Sequence, residues 1–261
     1  MTTRLDTRSR VLIRRAPDPR LWTGVSGLIV AVLTLSESLV ATFLVGRRPK
    51  LDDSEALVAF MTAASTPTLI VILIDTFLMA FLIVFLAGFR QLITKTRPDI
   101  EWIADLAFGV GLVFVGLTLV GDAMEAGAAL DSIGAASDAS VVRALTEGHA
   151  QMFGSMGCVL TALVAAAAGH VIFLSGALPT WTGWLAYVVA VANAAAVPTM
   201  FAGTNEATFF SAGGTGIALF ATFPWLVWVG SVGISALRDR RRNPVPALVS
   251  DADAVSARTV S

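Results

Sequence analysis

The 261-residue sequence is poor in charge, since only 14% of its residues are Asp, Glu, Lys or Arg and 56% are hydrophobic. A soluble domain would carry about a quarter charged residues. The few charges are concentrated near the two ends and in short segments between long apolar runs. This distribution is typical of a polytopic membrane protein surrounded by lipid, and we expect no nucleic-acid partner.

Cysteine and histidine are also scarce. Cys158 is the single cysteine, so a disulfide within the chain is excluded. The two histidines, His149 and His170, fall on one predicted helix, about 32 Å apart at 1.5 Å per residue. They would lie at opposite membrane faces and cannot ligate one haem together. The sequence therefore predicts no cofactor.

Six apolar runs are long enough to span a bilayer. Each must be helical, because backbone polar groups in lipid can be satisfied only within the protein and the runs do not alternate as barrel strands do. The fold class predicted is an all-α integral membrane bundle over residues 21–237, between a basic segment (1–20) and a basic, then disordered tail (238–261). The predicted spans are Leu21–Gly46, Pro67–Arg90, Trp102–Glu125, Gly148–Ser175, Trp181–Gly203 and Ala207–Leu237.

Basic residues predict the orientation. Fourteen of the 18 Lys and Arg fall on the side of the N-terminus if the chain crosses six times. Cytoplasmic loops are the ones enriched in Lys and Arg, so both termini are predicted to be cytoplasmic. Four tryptophans agree, since they fall where an aromatic belt would lie on that side: Trp22, Trp102, Trp181 and Trp184.

Acidic residues inside the predicted spans are the main functional signal. Glu37 and Asp75 lie within the first two spans, Asp122 and Glu125 lie one helical turn apart near the outer end of the third, and Glu147 precedes the fourth. No Lys or Arg lies within a span to pair with them. A charge at the centre of a membrane helix costs about 2.5–3.5 kcal/mol, so these side chains should face the bundle.

The bias of these acids to the outer half predicts an outward-facing acidic cavity. Glu37 and Asp75 would bind a cation or protons in a transporter-like or sensory protein, with the other three acids at its mouth. Two alternatives stay open. The acids would be neutral hydrogen-bonding groups in a structural or partner-binding subunit. Otherwise His149 and carboxylates would hold a metal in a membrane metalloenzyme, or His149 with Met152 and Met156 would hold copper.

An enzymatic function is not favoured, because no nucleophile has a histidine and an acid at a suitable spacing. No catalytic residue is predicted. Membrane lipids are the expected surroundings, and a cation or proton is the expected ligand. A protein partner or a second copy of the chain is left open.

The turn after the fourth span, "FLSGALPTWTGWLAYV", combines a helix-ending glycine and proline with interfacial tryptophans. It is similar to a family of bacterial multi-pass membrane proteins to which no function is assigned, and "FPWLVWVG" in the sixth span also fits. Thr180 departs from that pattern, in which arginine often follows the proline. The resemblance implies a six-helix fold in a bacterial cytoplasmic membrane and no particular reaction. It is carried by Ser175, Gly176, Pro179, Trp181, Gly183 and Trp184.

Overall fold

The computed structural model describes residues 18–50, 53–134, 137–205 and 208–242. Six long helices in these ranges are apolar enough to cross a membrane, and the described residues contain no strand. The prediction of an all-helical chain with six apolar helices is confirmed. Most of the predicted N-terminal segment and C-terminal tail lies outside the described residues. The helices are α1 (Pro19–Val45), α2 (Ser54–Thr96), α3 (Pro98–Ser132), α4 (Ala139–Ser175), α5 (Thr180–Ala202) and α6 (Thr215–Arg242).

The six helices form a closed ring in chain order. Each packs against the next, and α6 packs against α1. Because the number of helices is even, α1 begins and α6 ends at the same end of the bundle, which we call the terminal end. Two ion pairs join α1 to α6 there, Arg20 to Asp239 at 2.7 Å and Arg240 to Asp18 at 2.9 Å.

The terminal half of the ring is filled by a continuous apolar core. Phe85 and Trp228 are fully buried and meet edge to face at 6.1 Å between ring centroids, which joins α2 to α6. Small residues allow the backbones to approach closely, as is usual between membrane helices. A Cβ atom on Gly88 of α2 would lie 2.9 Å from the backbone nitrogen of Thr23 in α1.

At the opposite end of the bundle, α2 is longer than the sequence indicates. The second span was predicted to begin at Pro67, and this start is wrong: one 43-residue helix begins at Ser54 and passes through Pro67. Its length is about 64 Å, twice the hydrocarbon thickness. Asp53 caps it by accepting a hydrogen bond from the Ala56 amide at 3.0 Å. The first turns of α2 precede the predicted span and are stabilised by packing. The apolar cluster there consists of Leu57, Met61, Ala128, Ala129 and Val142.

Helices α3 and α4 extend at the same end to complete that cluster. Asp138 caps α4, and hydrogen bonds from Ser140 hold the pKa of the Asp138 carboxyl below its usual range. The sixth span, predicted from Ala207, becomes helical only at Thr215, and residues 208–214 form turns. A side chain at Gly214 would collide with backbone carbonyl oxygens there, so the glycine-rich segment is a local break before α6.

The turn between α4 and α5 agrees with its sequence. Gly176 follows the last residue of α4 with a left-handed φ of 61°, and its amide donates to the Ile172 carbonyl at 3.1 Å. Pro179 then precedes the first turn of α5. Trp181 and Trp184 are exposed on the first turns of α5.

Substitution of Gly88 tests the close contact between α1 and α2. Gly88→Ala should lower the unfolding free energy by about 1–3 kcal/mol, because the added methyl group meets rigid backbone. Gly116→Ala in α3 is the matched control, since a Cβ there meets nothing within 4 Å, and alanine should be neutral or stabilising by up to about 1 kcal/mol. Denaturant titration in mixed micelles would measure both. Equal effects would contradict close packing at Gly88.

Candidate functional site

A cavity of about 120 Å³ lies at the centre of the ring, and all six helices contribute to its wall. Its apolar lining includes Leu82, Phe114 and Trp225 from α2, α3 and α6. The cavity lies between the terminal core and the helical cluster at the opposite end. Its main polar lining residues are Thr34, Glu37, Asp75, Thr161, Asn193 and Thr222.

Three acidic side chains from three helices meet beside this cavity, and we call Glu37, Asp75 and Asp122 the carboxyl triad. A side-chain hydrogen bond joins Asp75 of α2 to Asp122 of α3. Glu37 of α1 lies close enough to both for their charges to interact. Asp75 is 3% exposed and Asp122 is 4% exposed. No Lys or Arg of the described residues forms an ion pair with the triad.

If all three carboxyl groups of the triad were ionised, no proton and no basic side chain of the described residues would offset their mutual repulsion. Asp75 Oδ2 and Asp122 Oδ2 receive no hydrogen bond from an N–H or hydroxyl group of the described residues. Two carboxyl groups can bond to each other only when one of them carries a proton. Neighbouring carboxylates that are removed from water repel each other strongly. The arrangement can therefore hold a proton between Asp75 and Asp122, and it can also attract a cation from the cavity.

Glu125 is compensated differently, by an arginine from outside the predicted spans. Arg48 Nη2 lies 2.5 Å from Glu125 Oε1, and the two side chains are 15% and 2% exposed. The sequence showed no Lys or Arg within a predicted span, and the partner of Glu125 indeed comes from the loop after α1. The physical reason is a reversal of the chain after α1: Gly46 has φ of 80° and its amide bonds to the Ala41 carbonyl at 2.9 Å. The segment that follows brings Arg48 back over α3.

His149, the predicted metal ligand, lies next to this ion pair. Its Nδ1 is 3.0 Å from the Gly121 carbonyl oxygen, and its ring lies 4.6 Å from that of Phe153. A carbonyl oxygen only accepts, so Nδ1 carries the hydrogen in this bond. A protonated His149 ring would lie close enough to Glu125 and Arg48 for its charge to interact with theirs. In the described part of the chain, no three His, Cys, Asp or Glu side chains are placed to hold a metal ion.

Two other residues singled out by the sequence lie apart from the triad. Glu147 pairs with Arg143 one turn earlier on α4, with Nε to Oε1 at 2.9 Å and both side chains more than a third exposed. Met156, part of the copper hypothesis, is half exposed on the outside of α4. The structure thus brings together Glu37, Asp75, Asp122 and Glu125, with His149 alongside, and places Glu147 in a separate exposed pair.

Irregular helical turns form the wall of the cavity that faces α1 and α2. Wider π-type turns occupy Met152–Met156 in α4 and Ala218–Thr222 in α6, and both contribute residues to the lining. The 3₁₀ segment that ends α5, Val197–Ala202, contributes none. Such irregularities are frequent at functional sites. Asn193 of α5 lines this wall and donates to the Val189 carbonyl at 3.0 Å. Its position in an apolar run is the signal that the sequence offered.

Comparisons with known proteins identified no relative of this chain. No protein-family model, no curated protein and no solved structure matches the chain. The chemistry of the cavity and of the carboxyl triad is therefore the basis for any functional conclusion.

Removal of the Arg48 guanidinium tests the buried ion pair. Arg48→Met should lower the unfolding free energy by about 3–5 kcal/mol, because it leaves the Glu125 carboxylate buried without a counter-charge. Arg143→Met should cost at most about 1 kcal/mol, because the pair with Glu147 is exposed. Adding Glu125→Leu to Arg48→Met should recover most of the loss. Denaturant titration of the three variants measures these differences, and a similar cost at both arginines would refute the assignment.

Proposed function

We propose that this protein is a membrane transporter or sensor that binds a cation or protons in the central cavity. Glu37 and Asp75 are the binding groups, because both line the cavity. Asp122 shares a proton with Asp75, and Glu125 with Arg48 closes the cluster towards the opposite end. One observation supports the proposal most directly. Three acidic side chains from α1, α2 and α3 lie near one another without a basic partner among the described residues.

The free-energy cost of placing several acidic side chains inside a membrane bundle supports a binding role. Intramembrane acids are expensive, and where they face a cavity they usually mark an ion or proton pathway. Packing alone would be served as well by apolar residues of similar volume. The π-type turns of α4 and α6 interrupt regular helix beside the same cavity, and interrupted helices also surround the binding sites of many transporters.

We also propose that both termini are cytoplasmic, so that the cavity lies towards the outer face of the membrane. The excess of Lys and Arg on the side of the termini supports this orientation. Trp22, Trp102, Trp181 and Trp184 are all more than half exposed and all lie near the terminal end, as an interfacial belt requires. The resemblance at the turn after α4 favours the cytoplasmic membrane of a bacterium.

A structural subunit without a ligand is the second candidate. The hydrogen bond between Asp75 and Asp122 favours it, because a protonated pair can join α2 to α3 without any bound ion. The two functions differ in whether removing one charge changes the response of the protein to cations.

The decisive measurement is the thermal unfolding midpoint of the detergent-purified chain with a broad set of cations. These are Na⁺, K⁺, Mg²⁺, Ca²⁺ and organic ammonium ions, added as chlorides at constant ionic strength. A ligand that binds only the native state stabilises it by about 2.7 kcal/mol at 100 times its Kd. We expect at least one cation to raise the midpoint of the wild type in a saturable manner and to leave Asp75→Asn unchanged.

Glu147→Gln is the matched control, because it also removes one carboxylate charge but lies in an exposed pair away from the triad. It should respond to the cation as the wild type does. If no cation shifts the wild type, or if every shift persists in Asp75→Asn, the cation site is refuted and the structural subunit is favoured.

A further inference from the structure

The cavity combines two unlike surfaces, which restricts the ligands that can bind. Glu37 and Asp75 place negative charge on the side formed by α1 and α2. Much of the remaining wall is apolar and includes aromatic rings. We propose, building on the cation site proposed above, that the ligand is a small primary alkylammonium ion, with its charged end at Glu37 and Asp75 and its hydrocarbon end against the apolar wall.

The charged end of the ligand must donate hydrogen bonds. Asp75 lines the cavity, is 3% exposed, and its Oδ2 has no N–H or hydroxyl donor among the described residues. Even where this carboxyl group shares a proton with Asp122, each of its oxygens has two lone pairs and can accept a further hydrogen bond from a ligand in the cavity. A primary ammonium carries three N–H donors, whereas a quaternary ammonium carries none. Glu37 and the Asn193 side chain on the wall offer oxygens for the other two donors.

A bare metal ion fits the cavity less well. Ca²⁺ takes six to eight oxygen ligands and Mg²⁺ requires a near-octahedral set, whereas only two carboxyl groups line this cavity. Within the described ranges, no three acidic, histidine or cysteine side chains are arranged to hold a metal. Much of the remaining wall is hydrocarbon and provides no ligand atoms.

The apolar wall suits the hydrocarbon part of an amine. Trp225 lines the cavity and is held in place by Trp228, whose ring centroid is 5.1 Å away. Phe114 and Leu82 contribute further apolar surface from α3 and α2.

The volume of the cavity limits the length of the chain. At about 30 Å³ for each water in the liquid, 120 Å³ corresponds to roughly four water molecules. Four non-hydrogen atoms make up propylammonium, and ethylammonium is one atom shorter. Hexylammonium has seven non-hydrogen atoms, so about three of them would have to extend beyond this volume.

The test compares chloride salts of ethyl-, propyl-, hexyl- and tetramethylammonium with Na⁺, K⁺, Mg²⁺ and Ca²⁺ on the full-length chain in detergent. Propan-1-ol is the neutral control for propylammonium. Thermal midpoints are followed against concentration at constant ionic strength. We expect propylammonium and ethylammonium to stabilise the wild type saturably, with half-saturation at least tenfold below that of tetramethylammonium, hexylammonium and propan-1-ol. The shift should be lost in Asp75→Asn and retained in Glu147→Gln.

The possible failures separate the two proposals. If a metal cation stabilises the wild type through Asp75 and the alkylammonium ions do not, the ligand class is overturned while the cation site stands. If tetramethylammonium or hexylammonium is as effective as propylammonium, the assignment of a small hydrogen-bond donor is overturned. If no cation has an effect that depends on Asp75, both proposals fall together.

Discussion

Carboxyl groups that are taken out of water need a proton, a counter-charge or a hydrogen-bond donor, and the centre of this bundle is arranged around that need. Glu125 obtains a counter-charge from Arg48, which reaches it from the segment after α1. Asp75 and Asp122 obtain a hydrogen bond from each other, which requires one shared proton. Glu37 is only partly buried and has neither among the described residues, and it lines the cavity with Asp75. The least compensated of these acids therefore borders the cavity that all six helices line.

The helices around the cavity are less regular than those of the terminal half. The terminal half of the ring is tightly packed by glycines and aromatic residues, with Gly88 against Thr23 and Phe85 against Trp228. Around the cavity, by contrast, α4 and α6 contain π-type turns. Close packing thus fixes one half of the ring, while the other half contains the polar groups and the backbone irregularities.

Much of the fold could be predicted because lipid imposes a simple rule on the sequence. A span needs about 20 apolar residues, and the six runs are visible without any structural information. Helix ends were less accurate where packing outside the predicted span decides them. Ser54 opens α2 because Leu57 and Met61 find apolar partners on α3 and α4. Those partners are more than 60 residues away in the chain, so local hydrophobicity could not indicate them.

The candidate site was predictable in part. An acid in an apolar run is conspicuous, and Glu37, Asp75, Asp122 and Glu125 stand out for that reason. Arg48 does not, because its sequence neighbours place it in a basic loop and only the chain reversal at Gly46 turns it towards α3. Glu147 was placed at the mouth of the cavity because the fourth span was predicted only from Gly148. The helix begins at Ala139, so Arg143 lies one turn before Glu147 on the same face and pairs with it.

The closed ring has a consequence for circular permutation of the chain. Asp18 and Arg240, at the two ends of the described helices, are in direct contact, and Arg20 meets Asp239 beside them. A short linker could therefore join residues 18 and 240 without crossing the bundle, and chains whose ends lie close together usually tolerate circular permutation. New ends cut at Gly176 would remain on the terminal side, whereas ends cut near Gly46 would emerge on the other side. The termini of a permuted six-helix ring would thus lie at one end of the bundle or at the other, depending on which turn is cut.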